Sequence, residues 1–322
     1  MVIDTPKKPL RVVVLLGGDS NERDVSLKSG ANVAKALQLA GHEVEMLDPS
    51  EQDLAKAQWQ RFDVCFIAMH GGAGEDGRIQ RFLKDRNVAF TCSGQVASQL
   101  AMSKSATKMV LRDAGINSPD YVLLSPHWTQ SQYEARTARL GFPVVVKPDS
   151  EGSSLGIRTA SSIEELIECA AESRRFGSVV IAEKYVSGRE FTIAVFGREP
   201  LPLLEIDSGK GIFDYQSKYS GKKLEHNFET GLSPITVNRL QETALAATVA
   251  LDTTGLCRVD LMLDNNGQVW VLEVNTVPGL TEMSLATKAS ERVGITLSEL
   301  CDWMVRDALR RTTNANRDTC RT

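Results

Sequence analysis

The stretch Arg258-Val259-Asp260-Leu261-Met262-Leu263, with Val271-Leu272-Glu273-Val274-Asn275-Thr276-Val277-Pro278-Gly279 soon after it, constrains the fold more than any other part of the chain. Both segments alternate apolar and polar residues with the period of a half-buried strand, and Asp264-Asn265-Asn266-Gly267 between them is a hairpin turn signal. A period of two sets Arg258 and Asp260 on one face of the first strand, and Glu273 and Asn275 on one face of the second. Antiparallel pairing lets those faces coincide, which gathers two carboxylates, a carboxamide and a guanidinium. Hard oxygen donors of this kind suit Mg²⁺, with substrate phosphates completing its octahedron. A solvated polar face is the plainer account of any one hairpin. The Pro278-Gly279 that follows and the four complementary side chains favour a metal–nucleotide site.

The chain has 322 residues, enough for one large domain or two to three small ones with a buried core. Its net charge of −4 argues against a protein that coats nucleic acid or anionic membrane. Six scattered cysteines form no C-x-x-C pair and have no histidines at zinc spacing, so free thiols in a reducing compartment are expected. The apolar run Val12–Leu16 is too short for a signal peptide and is followed by Asp19–Asp24, so it reads as a first core strand. No segment approaches membrane-spanning length, and a cytoplasmic location is expected.

Residues 11–103 alternate strand and helix. Strands are expected at Arg11–Leu16, Val44–Leu47 and Val64–Met69, helices at Val25–Leu39, Ile79–Asp85 and Val96–Met102, and an extended segment at Val88–Phe90. This is the pattern of a parallel α/β layer with crossover helices. The first loop, Gly17-Gly18-Asp19-Ser20-Asn21, lacks G-x-G-x-x-G, so a dinucleotide fingerprint is absent. A second unit, 104–187, opens with a helix at Lys104–Asp113. A third, 188–311, contains the hairpin and closes with helices near Leu285–Arg292 and Leu297–Arg311. Residues 1–10 and 312–322 read as flexible tails.

Five loops at strand ends carry functional polar groups, where α/β proteins place ligands. Gly17–Glu22 opens a helix, and Glu22 by itself suits the helix N-terminal dipole. His70-Gly71-Gly72-Ala73-Gly74-Glu75-Asp76-Gly77 has four glycines in eight residues, which frees backbone N–H groups for an anion. Lys147–Gly156 joins a strand-end lysine to a Gly/Ser turn that is not a Walker loop. In Glu183–Glu190, both glutamates are placed to accept hydrogen bonds from a base or ribose, or merely to solvate a strand connection. The polar stretch 207–232, with Lys218-Tyr219 among glycines, is long for a loop and reads as a lid over phosphates.

Taken in order, these motifs resemble those of the D-alanine–D-alanine ligase family of the ATP-grasp superfamily, from about Arg11 to Arg311. The matches are GGDSNERDVSLKSG, HGGAGEDGRIQ, VVVKPDSEGSSLG, EKYVSGREFT, Lys218-Tyr219, RVDLMLD and LEVNTVPGLTEMSL. The resemblance implies an N-terminal Rossmann-like α/β domain that binds substrate, then an ATP-grasp fold of two subdomains. It implies ATP-driven joining of two D-alanines through an acyl phosphate, two Mg²⁺ (or Mn²⁺), a homodimer, and no membrane or nucleic-acid partner. Residue by residue, Asp260, Glu273 and Asn275 match metal ligands. Lys104, Lys147, Ser154, Glu183, Lys184, Val186 and Glu190 match ATP contacts. Glu22, Ser153 and Tyr219 match a hydrogen-bonded triad, and Lys218 the lid lysine near the transferring phosphate. Arg258 and the Gly279 N–H match oxyanion donors, Ser284 and Leu285 the second-substrate carboxylate site, and His70 lies near the substrates. Arg81 and Cys92 stand where the family carries glycine, Ser103 where it carries aspartate, and Met283 where it carries histidine. Ligation to D-lactate or D-serine, or a silent nucleotide-binding regulator, are the competing readings. Tyr219, in place of the histidine of lactate-type relatives, favours D-alanine.

Overall fold

The computed structural model describes residues 8–206 and 226–319. These divide into two compact units, the first drawn from residues up to Gln95, Thr254–Leu256 and Val277 onward, the second from Val96–Thr253 and Cys257–Thr276.

The first unit is built on a three-stranded parallel sheet of β1 (Arg11–Leu15), β2 (Glu43–Leu47) and β3 (Val64–Ile67), in the order β2-β1-β3. Val12 to Leu15 are all fully buried, as a central parallel strand covered on both faces requires. The expected extended segment at 88–90 makes a single parallel bridge, Cys65 to Phe90. The helix Arg23–Leu39 packs on the last helix, Leu297–Thr319, where Ser298 Oγ donates to Ala36 O at 2.8 Å. That last helix buries Leu300, Cys301, Met304, Val305 and Ala308, a stripe of helical period. The chain from Val277 therefore returns to the N-terminal unit, whereas the sequence places it in a third unit ending at 311. The helix also continues to Thr319, through the segment expected as a flexible tail, since no Gly or Pro stops it there.

The second unit holds two sheets. One joins β4 (Tyr121–Leu124), β5 (Val144–Pro148), β6 (Arg158–Ala160) and β7 (Val180–Lys184) in the antiparallel order β4-β7-β5-β6. The other joins β8 (Gly188–Phe196), β9 (Glu199–Pro200), β10 (Leu204–Ile206), β11 (His226–Asn227), β12 (Leu256–Asp264) and β13 (Val269–Asn275), ordered β11-β10-β8-β12-β13 with β9 on β8. Its apolar face, with Phe191, Ile193, Val259, Leu261, Val271 and Val274, packs on Leu240, Ala244 and Ala247 of the helix Pro234–Ala250. That helix starts where its sequence says it must: Ser233 Oγ accepts from the Thr236 N–H, and Pro234 occupies the first position.

The hairpin forms as its pattern demands. Asp264 Oδ1 accepts from the Asn266 and Gln268 N–H groups, Asp264 Oδ2 accepts from Trp270 Nε1, and Gly267 takes φ +77°. These bonds hold the Asp264 carboxyl below its ordinary pKa. Arg258 pairs with Asn275 and Asp260 with Glu273, but the register shifts between Asp260 and Leu261. From the turn, Leu263 pairs with Val269 and Leu261 with Val271, so an unbroken ladder would set Asp260 opposite Leu272. The bulge spends one extra residue on β13 and brings the polar faces into register.

Candidate active site

Two groups of functional side chains assemble, one in each unit. In the second unit, Arg258 grips Asp260 bidentately: Nε donates to Oδ1 at 2.9 Å and Nη2 to Oδ2 at 2.8 Å. Thr192 of β8, fully buried, donates its hydroxyl to Asp260 Oδ1 at 2.6 Å. Across the ladder, Glu273 Oε2 lies 3.6 Å from Lys104 Nζ. Asp260 and Glu273 thus each face a cation, and with Asn275 the set is one of hard oxygen donors.

Lys104 is the first residue of the helix Lys104–Asp113, and Ser103 caps that helix by accepting from the Ala106 N–H. Ser103 Oγ also donates to Asp149 Oδ2 at 2.7 Å, while Ser105 N donates to Asp149 Oδ1 at 2.8 Å and Lys104 N to Asp149 O at 2.9 Å. Ser103 caps the helix as an aspartate would, and its hydroxyl also donates to Asp149, which an ionised aspartate could not do. The same contacts dock the helix start on the loop after β5, where Lys104 Nζ donates to Glu151 O at 2.6 Å. Further along that loop, Ser153 and Ser154 take φ of +49° and +57°, a left-handed turn at the tip.

Lys147 lies buried near the end of β5, and its Nζ lies 3.0 Å from Glu183 Oε2 on β7; Lys108 Nζ lies 3.1 Å from Glu183 Oε1. Burial alone raises the Glu183 pKa, but the two ammonium groups outweigh it and hold the carboxyl below its ordinary value. Burial pushes Lys108 down to about 8 against the pull of Glu183. Lys184 is exposed where β7 ends, Val186 follows in the connection, and Glu190 lies on β8 opposite Ile206. Lys218 and Tyr219, with most of the expected lid, fall outside the described residues.

In the first unit, the tip of β3 delivers His70, which is buried. Its Nδ1 donates to Val277 O at 2.8 Å, because a carbonyl can only accept, and its Nε2 pairs with Ser29 Oγ at 2.9 Å. Ser29 Oγ also accepts from Leu280 N at 3.3 Å, so His70 and Ser29 pin the chain on both sides of Gly279. Gly71 has φ +65°, and a Cβ there would sit 2.7 Å from Glu22 Oε2: the bare α-carbon is what lets the Glu22 carboxylate reach this loop. A Cβ on Gly279 would lie 2.8 Å from Ser284 Oγ, which accepts from Thr281 N and precedes the helix Leu285–Arg292. Glu22, His70, Gly279 and Ser284 are therefore gathered by one network. Cys92 has φ +71°, the conformation that glycine adopts more readily, while Arg81 and Met283 are exposed.

The charged groups stand out in the sequence but their holders do not: Ser26, Ser29 and Glu75 around His70, Thr192 behind Asp260, Asp149 behind Lys104, and Lys108 behind Glu183. Only Lys108 left a signal, four residues after Lys104 on one helix face. Asp48 is another: it accepts from Gly18 N and Ser50 N and pairs with Arg23 at 2.7 Å, ordering the first glycine loop.

A parallel α/β unit, two antiparallel sheets, a strand lysine paired with a buried glutamate and a helix-start lysine against a carboxylate hairpin mark an ATP-grasp enzyme. Residues 110–306 match the family model described as the D-ala D-ala ligase C-terminus. The chain is 43% identical over 290 residues to the D-alanine–D-alanine ligase of Nitrosomonas eutropha, covering 90% of this chain and 94% of that one. Against the ligase of Pseudoalteromonas translucida, identity is 40% over 291 residues, with the same coverage of each. The crystal structure of the Bacillus anthracis D-alanine–D-alanine ligase complexed with ATP superposes with a TM-score of 0.83 at 30% identity, covering 95% of this chain and 99% of that one. The chain belongs to the D-alanine–D-alanine ligase family. Among the described residues no helix is long and apolar enough to cross a membrane.

Proposed function

We propose that this enzyme joins two D-alanine molecules into D-alanyl-D-alanine for peptidoglycan precursor synthesis, converting ATP to ADP and phosphate. The observation that carries the reading is the hairpin face itself: Arg258, Asp260, Glu273 and Asn275 in paired register, with Lys104 against Glu273. In the first half-reaction, a carboxylate oxygen of one D-alanine attacks the γ-phosphorus of ATP, the bond to the β-phosphate oxygen breaks, and ADP leaves. In the second, the amine of the other D-alanine attacks the acyl carbonyl, the amine loses a proton, and phosphate departs.

Phosphoryl transfer asks the protein for alignment and charge neutralisation. Lys104, Lys147 and Lys218 serve the phosphates, Ser154 the turn over them, and Glu183, Lys184, Val186 and Glu190 the adenosine. Asp260, Glu273 and Asn275 fit two Mg²⁺ (or Mn²⁺), because their oxygens are hard donors and each carboxylate already faces a cation. When bound, the ions supply further neutralisation of the phosphates. On the family likeness we assign Glu22, Ser153 and Tyr219 to the first amino group, Ser284 and Leu285 to the second carboxylate, and Arg258 and the Gly279 N–H to the oxyanion. Lid closure over these groups keeps water from the acyl phosphate. We assign the enzyme to the cytoplasm and to a homodimer, on the family likeness.

The test is phosphate release from ATP by purified enzyme, with D-alanine, L-alanine, D-serine and D-lactate offered in turn. D-alanine-dependent release with a dipeptide product supports the assignment. A dominant depsipeptide, or no amino-acid-dependent release, sinks it.

A further inference from the structure

Lys108 has no part in the reaction described so far, yet it is a buried cation at the centre of the nucleotide cluster, its side chain only 2% exposed. Its ammonium is anchored from behind: Nζ lies 2.9 Å from Ser118 Oγ, and the Ser118 hydroxyl donates to Val271 O at 2.8 Å. From the front it lies 3.1 Å from Glu183 Oε1, while Lys147 lies 3.0 Å from Oε2 of the same carboxylate. Glu183 therefore carries one lysine per oxygen, and Oε1, though close to Lys108, receives no well-aligned N–H from the protein. The two lysines are not equivalent. Lys108 is tied to Ser118, whereas Lys147 has no second side-chain hydrogen bond among the described residues.

We propose that Lys108 is a positioning residue for the nucleotide: when protonated it stays on Glu183 as a counter-ion, and so releases Lys147 to move onto a phosphate. Lys108, Glu183 and Lys147 sum to +1, so Lys147 leaves behind a neutral Lys108–Glu183 pair when it turns to an anion. Without Lys108 the pair Lys147–Glu183 is neutral from the start, and moving Lys147 strands a buried carboxylate, among the costliest outcomes in a protein interior. Glu183 is then a trap for Lys147. This inference rests on the reading of Lys147 and Glu183 as ATP contacts.

The experiment is a double-mutant cycle on the full-length enzyme, with ATP KM and kcat measured at saturating D-alanine for wild type, K108M, E183Q and K108M/E183Q. K108M is expected to raise the ATP KM by roughly 10–100-fold while kcat falls by a few-fold at most. In the E183Q background, where nothing holds Lys147 back, adding K108M is expected to cost less than about threefold. An equal cost in both backgrounds overturns the inference and leaves the nucleotide reading standing. An E183Q enzyme with wild-type ATP KM removes that reading itself, and the inference with it. Should K108M fail to fold, S118A carries the test: it loosens Lys108 without removing charge and should raise ATP KM with D-alanine KM unchanged. An unaltered ATP KM in S118A overturns the proposal.

Discussion

Replacing Arg258 by methionine keeps most of the side-chain volume and removes the guanidinium that grips Asp260. Two charge-assisted hydrogen bonds, at 2.9 and 2.8 Å, are lost from a carboxylate that is only 6% exposed. Removing one partner of a buried pair costs about 3–5 kcal/mol. Thr192 still donates to Asp260 Oδ1, and the Arg258 side chain is 16% exposed, so the lower end, about 3 kcal/mol, is expected. At about 2–4 °C per kcal/mol for a unit of this size, the melting temperature of metal-free enzyme falls by roughly 6–12 °C. Millimolar Mg²⁺ should then stabilise the variant more than the wild type, because a cation on Asp260 takes the place of the missing guanidinium. Turnover should fall by about 10²–10³, as for loss of one oxyanion donor, with ATP binding largely intact. Thermal melts with and without Mg²⁺, read beside steady-state rates, check both halves. Equal Mg²⁺ gains in variant and wild type would refute the view that Asp260 exchanges Arg258 for a metal. Unchanged turnover would remove Arg258 from the catalytic list.

Thr192→Val, nearly isosteric, should cost about 1–2 kcal/mol and weaken Mg²⁺ binding by roughly tenfold, read from the Mg²⁺ dependence of the melting temperature; an unshifted midpoint counts against the role of Thr192. Gly71→Ala puts a methyl group at φ +65° against Glu22 Oε2, so D-alanine KM should rise while ATP KM stays, and a D-alanine KM equal to wild type would contradict the reach of Glu22. Ser153→Ala removes the hydroxyl and leaves the Cβ at φ +49°, whereas Ser153→Gly also relieves about 1 kcal/mol of left-handed strain, so comparing the two by stability and rate separates the hydroxyl from the backbone. Lys108, facing Glu183 from β7, Lys147 from β5 and Lys104 from its own helix, loses its proton above about pH 8. ATP KM should climb above that pH and stay flat in K108M. Because the folded pKa lies below the ordinary 10.5, this group's contribution to stability grows from pH 8 to 10.5, so a melting temperature that falls in step with the KM rise in that window speaks against the assignment.

Much of the fold was readable where one residue has one reason. Ser103 and Ser233 mark helix starts because each hydroxyl accepts an otherwise unpaired N–H. The apolar run at Val12 was readable as a core strand because a strand covered on both faces buries consecutive residues. The charged members of the site were readable by type and by resemblance. Their holders were not, because Ser29, Thr192 and Asp149 are common residues whose meaning lies in what they touch. Ser29 reaches His70 across 41 positions and Thr192 reaches Asp260 across 68. The return of the chain from Val277 to the N-terminal unit was likewise invisible to local pattern, since the apolar stripe of the last helix fits any sheet-covering helix layer.

The hairpin divides the two kinds of knowledge most sharply. Its strands, its turn and the shared face of Glu273 and Asn275 follow from the sequence alone, because period two and the Asp264–Gly267 turn are local physics. That Asp260 meets Glu273 was decided only in three dimensions. Counted back from the turn, Asp260 belongs opposite Leu272, and the polar faces miss one another. The core demands both Val271 and Val274, three residues apart, and a strand meets that demand only by giving up one residue to a bulge. Packing of two valines thus sets which carboxylates face each other, and with it the site.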